Sequence, residues 1–238
     1  MSRGEWAPAA RPRIPRSRIA NRPGLPDACG MEADAASPDP GPPSPAAAIP
    51  PLPGDFPILL DRILLRPLEE GDKESVRAFA GDPEISRFTR SLTYPEDPEK
   101  AAAWVEEHIA MTRSGRTVSA AILEKEPRRF AGAGILFLEP NHRRAEIGLW
   151  LGRPFWARGY GPEASRGLID YAFAVLGLRK ICAYCLASNL RSRRLIQKLG
   201  FRWEGTQRKQ LLVRGVFEDL LLFGLLAEEW APLSHRKG

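Results

Sequence analysis

Residues Arg158-Gly159-Tyr160-Gly161-Pro162-Glu163-Ala164 set two glycines around an aromatic, between a strand-like run and a helix-like one. This junction constrains the fold more than any other stretch. Glycine tolerates positive φ and brings no Cβ, so backbone N–H groups around Gly159 and Gly161 can turn toward an anion. Pro162 suits a first helical turn, where its missing donor has no intrahelical partner to lose. Downstream, Ala164, Leu168, Tyr171, Ala172 and Val175 follow spacings of three and four. That predicts a helix with one apolar face, whose N-terminus directs roughly half an elementary charge at the loop. Upstream, Ala145, Ile147, Leu149 and Leu151 alternate with Glu146, Gly148 and Trp150, which predicts a strand with two distinct faces. Strand, glycine loop and helix in this order suit a pyrophosphate. An isolated Gly-x-Gly also suits a turn that needs glycine for geometry alone. The dinucleotide fingerprint is excluded because its third glycine and the acid ending a second strand are missing, and no Gly-Lys-Ser/Thr follows to make a P-loop.

The rest of the chain supplies a frame. Ile63–Pro67 reads as a first strand, and Glu69–Asp72 as a turn opening a helix through Val76 and Phe79. Asp97-Pro98 reads as a cap and first-turn proline before a helix with Ala101, Trp104, Val105 and Ile109 on one face and His108 on the polar one. Strands are predicted at 117–125, 130–138, 143–151 and 178–187. A short helix runs through Ser192, Leu195, Ile196 and Leu199 to a terminating Gly200, and Arg214-Gly215 joins two final strands as a hairpin. The fold class expected is α+β, helices packed on a central, mostly antiparallel sheet.

Taken together, the glycine loop, Ser188-Asn189-x-x-Ser192 and Leu199-Gly200-Phe201 resemble the GNAT superfamily of acyl-CoA-dependent N-acyltransferases, and most of all its RimJ/RimL-like branch, which contains the ribosomal-protein alanine N-acetyltransferases. The resemblance spans roughly Asp61 to Trp230. It implies a GNAT-like three-layer fold with a mixed sheet, and acetyl-CoA as acyl donor. It also implies cofactor contacts at Trp150, Leu151, Arg158, Gly159, Tyr160, Gly161, Ala164 and Asn189, with Asn189 bonding the pantetheine arm and the Ser192 hydroxyl near the sulfur. The sequence departs from many members at Ile196, where they carry a tyrosine that protonates the thiolate, so Ser192 or water takes that role. Trp156 replaces a common Gln or Arg, in keeping with the RimJ/RimL-like branch.

An ammonium has no lone pair, so an amine acceptor needs a base, directly or through water. Glu146 is the candidate; an exposed strand carboxylate or an ion-pair partner fits its position equally well. Asn189 and Ser188 also suit helix capping. The activity expected is transfer of acetyl to a primary amine, first of all a protein N-terminus, ribosomal or other. A small amine such as an aminoglycoside or polyamine, and a non-catalytic acyl-CoA-binding module, are the alternatives.

Residues 1–54 hold 13 of the 23 prolines and no apolar period, so a disordered tail is expected there and one domain over 55–238. No run suits a signal or membrane segment, and a cytoplasmic protein is expected. Translation from Met1 or Met31 stays open. Cys182-x-x-Cys185 lacks a second pair for zinc and reads as two reduced thiols, with no metal expected. The net charge of +6 and the cluster Arg191, Arg193, Arg194 and Lys198 suit the cofactor's phosphates or a solvated helix face. No motif for sequence-specific nucleic-acid binding is present.

Overall fold

The computed structural model describes residues 56–88 and 98–231; the expected tail over 1–54 and the Asp97 cap lie outside them. One eight-stranded sheet runs β1-β2-β3-β4-β5-β6-β8-β7, formed by Ile58–Leu59, Ile63–Pro67, Thr117–Glu124, Arg129–Glu139, Arg144–Leu151, Lys180–Leu186, Val216–Leu226 and Arg202–Val213 in that spatial order. Every neighbouring pair is antiparallel except β5 with β6. The mixed, mostly antiparallel sheet is the one expected, with β1 as an added edge.

Helices α1 (Lys73–Ala80), α2 (Pro83–Ser86) and α3 (Pro98–Arg113) cover one face; α4 (Tyr160–Asp170) and α5 (Leu190–Lys198) cover the other. The alternation of β5 decides which side chain meets which layer. Ala145, Ile147, Leu149 and Leu151 join Ala164, Leu168 and Ile169 of α4 and Ile196 of α5. Trp150 joins Trp104 and Val105 of α3. Leu168 is fully buried, and burial of a side chain of that size contributes about 1.5–3 kcal/mol.

Two expectations need correction. Val175 leaves the apolar face and is 38% exposed. From Tyr171 the helix changes to π bonding, with the Leu176 N–H reaching the Tyr171 carbonyl at 3.1 Å, and the wider turn rotates Val175 outward. His108 is not on the polar face of α3. It is buried, one turn beyond Trp104, and its Nδ1 bonds the Trp104 carbonyl at 2.9 Å.

Other readings match the structure. Asn189 caps α5, its Oδ1 accepting from the Ser192 N–H at 3.0 Å. Gly200 follows the α5 end at φ 94°, and Arg214-Gly215 turns the hairpin between β7 and β8. Cys182 and Cys185 are free, buried thiols. No helix of the described residues is long and apolar enough to cross a membrane.

Candidate active site

The sheet splits where its only parallel pair stops. Strands β5 and β6 are paired at just three positions, ending with Glu146 opposite Cys182. Beyond that point β4 keeps β5 company to Leu151, and β8 keeps β6 company to Leu186. Ile147–Leu151 and Ala183–Leu186 therefore diverge as the two walls of a wedge. The Gly152 N–H bonds Ala131 on β4, while the Leu151 carbonyl points away from β4 and accepts the Trp156 indole at 2.8 Å. Strand alternation then turns the N–H and C=O of Ile147 and Leu149 into the wedge, where no neighbouring strand pairs with them. An extended ligand with amide groups fits such a gap, since unpaired strand edges pair with whatever extended backbone they meet.

At the mouth of the wedge stands the glycine loop. Ala157 and Gly159 both take left-handed backbone conformations, φ 60° and 80°, which turns the successive amides of this stretch toward one side, as in an anion-binding nest. The N–H groups of Gly159, Tyr160 and Gly161 have no partner among the described residues, as the orphan donors of a helix start. Only Gly159 needs its glycine for conformation; a Cβ on Gly161 would meet Leu151 and Leu195 at an ordinary 3.7 Å.

Two carboxylates fix this loop, and neither was visible as such in the sequence. Glu163, buried in the first turn of α4, accepts from the Arg62 N–H at 2.7 Å and from Arg62 Nε at 2.8 Å. The same guanidinium donates to the Arg158 carbonyl at 2.8 Å, so β2 and the loop are tied through one side chain. Glu124, buried at the end of β3, accepts from the Tyr160 hydroxyl at 2.6 Å, from Arg158 at 3.1 Å and from Arg129 at 2.9 Å. These hydrogen bonds, Tyr160 first and then Arg129, hold its carboxyl below the usual carboxylate range.

This geometry assigns the predicted cofactor residues to different tasks. The Arg158 and Tyr160 side chains both bond Glu124, and the backbone N–H groups of the loop are left as candidate donors for an anion. Arg158→Ala is therefore expected to change the acetyl-CoA KM by no more than about threefold, because Glu124 keeps Tyr160 and Arg129 as partners when Arg158 is removed; steady-state kinetics checks this. Trp150 is buried against Trp104 and Phe130, and Ala164 is fully buried under α4. Trp150 packs into the α3 layer and Ala164 into the α4 layer. Leu151 contributes its edge, and Trp156 fills the floor of the mouth with the Arg191 guanidinium stacked 4.0 Å over its ring. That stacking brings one cation of the basic cluster to the loop.

Ser192 lies beside Cys185 at the open end of β6, where burial raises the thiol pKa and the Ser192 hydroxyl and Arg193 oppose it. Glu146 sits at the closed end, half-buried, on the face shared with Trp150. The two candidate catalytic residues thus approach the wedge from opposite faces of the sheet. Among the described residues no three of His, Cys, Asp and Glu gather closely enough to hold a metal ion.

A splayed parallel strand pair with free amides at its mouth has the shape and donors that an acyl-CoA-dependent N-acyltransferase needs. Residues 62–202 match the acetyltransferase (GNAT) domain family, and the chain belongs to that family, with the features of its RimJ/RimL-like branch. Among its relatives is the uncharacterized N-acetyltransferase YoaA of Bacillus subtilis (strain 168), 30% identical over 173 residues, which cover 72% of this chain and 97% of YoaA. Two solved structures share the fold. The spermidine N-acetyltransferase of Vibrio cholerae, in complex with CoA and spermine, has a TM-score of 0.64 at 20% identity over 71% of this chain and 97% of its own. The ribosomal-protein-S5-alanine acetyltransferase of Vibrio fischeri has 0.63 at 17% identity over 75% of this chain and 100% of its own.

Proposed function

We propose that this GNAT enzyme acetylates the N-terminal amine of a protein or peptide. The observation that carries the reading is the wedge with Glu146 at its closed end and free amide donors at its mouth. Acetyl-CoA supplies a thioester when bound. The N–H groups of Gly159, Tyr160 and Gly161 would hold its pyrophosphate, and the edges of Ile147, Leu149 and Leu151 its pantetheine amides, with Asn189 alongside. Glu146 would take a proton from the amine, directly or through water, so that nitrogen bonds the acyl carbon as the carbon–sulfur bond breaks. The sulfur would then be protonated by the Ser192 hydroxyl or by water.

Acceptor choice follows from charge. A polyamine carries several positive charges and calls for clustered carboxylates; the chain is +6 overall, Glu146 shares its face of the sheet with Phe137, Gly148 and Trp150, and Glu139 on that face is paired with Arg144 at 2.7 Å. One carboxylate suits one ammonium. The spermidine enzyme among the structural relatives makes polyamines the necessary comparison. The test is thiol release from acetyl-CoA against alanine-initiated peptides, spermidine and an aminoglycoside. The peptides are expected to give the highest kcat/KM; spermidine or the aminoglycoside outperforming them would reject this acceptor class, and so would the absence of thiol release with the peptides.

A further inference from the structure

Gly148 is a glycine that the fold does not require. It sits mid-strand on β5, outside the positive-φ region, where glycine is less favourable than alanine. Packing explains its neighbours on β4: a Cβ on Gly132 would lie 2.1 Å from the Trp150 carbonyl oxygen, and one on Gly134 would lie 2.6 Å from Leu168. At Gly148 a Cβ would meet only the edge of Phe137, at an ordinary 3.6 Å. The missing side chain leaves room between Glu146 and Trp150 on the α3 face, beside half-buried Phe137. A strand-interior glycine marks a bulge, a tight bend or a close approach by a ligand or another backbone, and the β4–β5 register runs unbroken through Gly148.

Around that room the layer is unusually short of hydrogen bonds. The His108 ring packs edge-on to Phe137 at 6.2 Å and stacks on Trp104 at 4.0 Å, and Trp104 meets Trp150 at 6.1 Å. Among the described residues, Nε2 of His108 and the indole N–H groups of Trp104 and Trp150 are buried without a partner. These three residues are only 3%, 5% and 6% exposed. Because a carbonyl only accepts, the bond from Nδ1 to Trp104 fixes the proton on Nδ1 and leaves a lone pair at Nε2. Burial lowers the His108 pKa and keeps the ring neutral. Orphaned polar atoms are costly unless something meets them. Here they are one acceptor and two donors.

We propose that Gly148, Phe137, His108, Trp104 and Trp150 form the subsite for the first residue of a peptide acceptor, with His108 Nε2 accepting from its amine and the indole N–H groups facing its carbonyl oxygen. The inference rests on the N-terminal acetylation reading and sharpens it. An amine beside a carbonyl matches one acceptor and two donors. A protonated polyamine has donors only, and offers the two indoles nothing to bond.

The test compares the wild-type protein with Gly148→Val, Gly148→Ala, His108→Phe and His108→Gln, using an alanine-initiated peptide and spermidine. Valine suits a strand, and Gly148→Ala covers the case in which Gly148→Val fails to fold. Gly148→Val is expected to raise the peptide KM by about tenfold or more while the acetyl-CoA KM stays within about twofold. His108→Phe should raise it similarly. His108→Gln, which keeps an acceptor near the Nε2 position, should recover part of the loss. Peptide should also quench the tryptophan fluorescence of the wild type and spermidine should not. An unchanged peptide KM in the folded Gly148 variants, or no quench and no turnover with the peptide, overturns the subsite. An acetyl-CoA thermal shift in the same samples separates that outcome from failure of the acetyltransferase reading, which predicts the shift in every variant.

Discussion

Glu146→Gln is expected to lower kcat/KM by about 10²–10⁴ while leaving acetyl-CoA binding intact. Glutamine keeps the size of the side chain and its hydrogen bonds but has no useful basicity. The residue stands at the last paired position of β5 and β6, opposite Cys182, where the wedge closes and the acyl carbon would lie. An amine that arrives protonated needs that base; one that arrives neutral does not. Raising the pH should therefore restore part of the variant's rate. Ser192→Ala gives the contrasting profile, a lower kcat with little rescue by pH, since it would impair protonation of the departing sulfur rather than activation of the amine. The measurement is a pH–rate profile for both variants beside the wild type. Full activity of Glu146→Gln across the pH range would make Glu146 a structural residue.

Gly159→Val is expected to abolish the stabilisation that acetyl-CoA confers on the wild type by binding only the folded state. Gly159 holds φ at 80°, a conformation that a β-branched side chain occupies only as an outlier. Strain of that kind costs about 1–3 kcal/mol. The new Cβ would also lie 2.7 Å from the Arg62 guanidinium, which donates to Glu163 and to the Arg158 carbonyl. Displacing Arg62 loosens the segment that aims the free amides. The control is Gly161→Ala. Its Cβ meets only ordinary contacts, so the folded state should survive, and helix propensity favours alanine over glycine by up to about 1 kcal/mol. The sequence suggests equal conformational need at both glycines; the structure assigns it to Gly159. Differential scanning fluorimetry with and without acetyl-CoA checks both variants, and a wild-type shift in folded Gly159→Val would remove the cradle assignment.

What the sequence revealed was local in character. The alternation from Ala145 to Leu151 determines two faces, and both are where the pattern puts them, because a strand's period depends only on its own residues. The spacing of Ala101, Trp104, Val105 and Ile109 likewise identifies the buried face of α3. His108 was misplaced because an imidazole counts as polar in any pattern, although its position one turn from Trp104 lies on the same face. Val175 was misplaced because a change to π bonding leaves no mark in apolar spacing. The loop's two anchors are long-range pairs, Arg62 with Glu163 and Tyr160 with Glu124, and no local signal links residues so far apart in the chain. For the same reason the sequence does not show that the Arg158 side chain is tied to a carboxylate. Its partner, Glu124, belongs to a strand whose end cannot be placed beside the loop without the fold. The wedge was equally hidden, since the end of β5–β6 pairing is a property of two strands and their neighbours on either side.

The central claim is that the split between β5 and β6, with the amides of the glycine loop at its mouth, is the acetyl-CoA site. A crystal structure of the protein with acetyl-CoA tests it most directly. The expected result has the pantetheine arm between Ile147–Leu151 and Ala183–Leu186, the pyrophosphate on the N–H groups of Gly159, Tyr160 and Gly161, and the thioester beside Glu146 at the closed end. Acetyl-CoA seated elsewhere, or a pyrophosphate held by side chains away from the α4 N-terminus, would contradict the account.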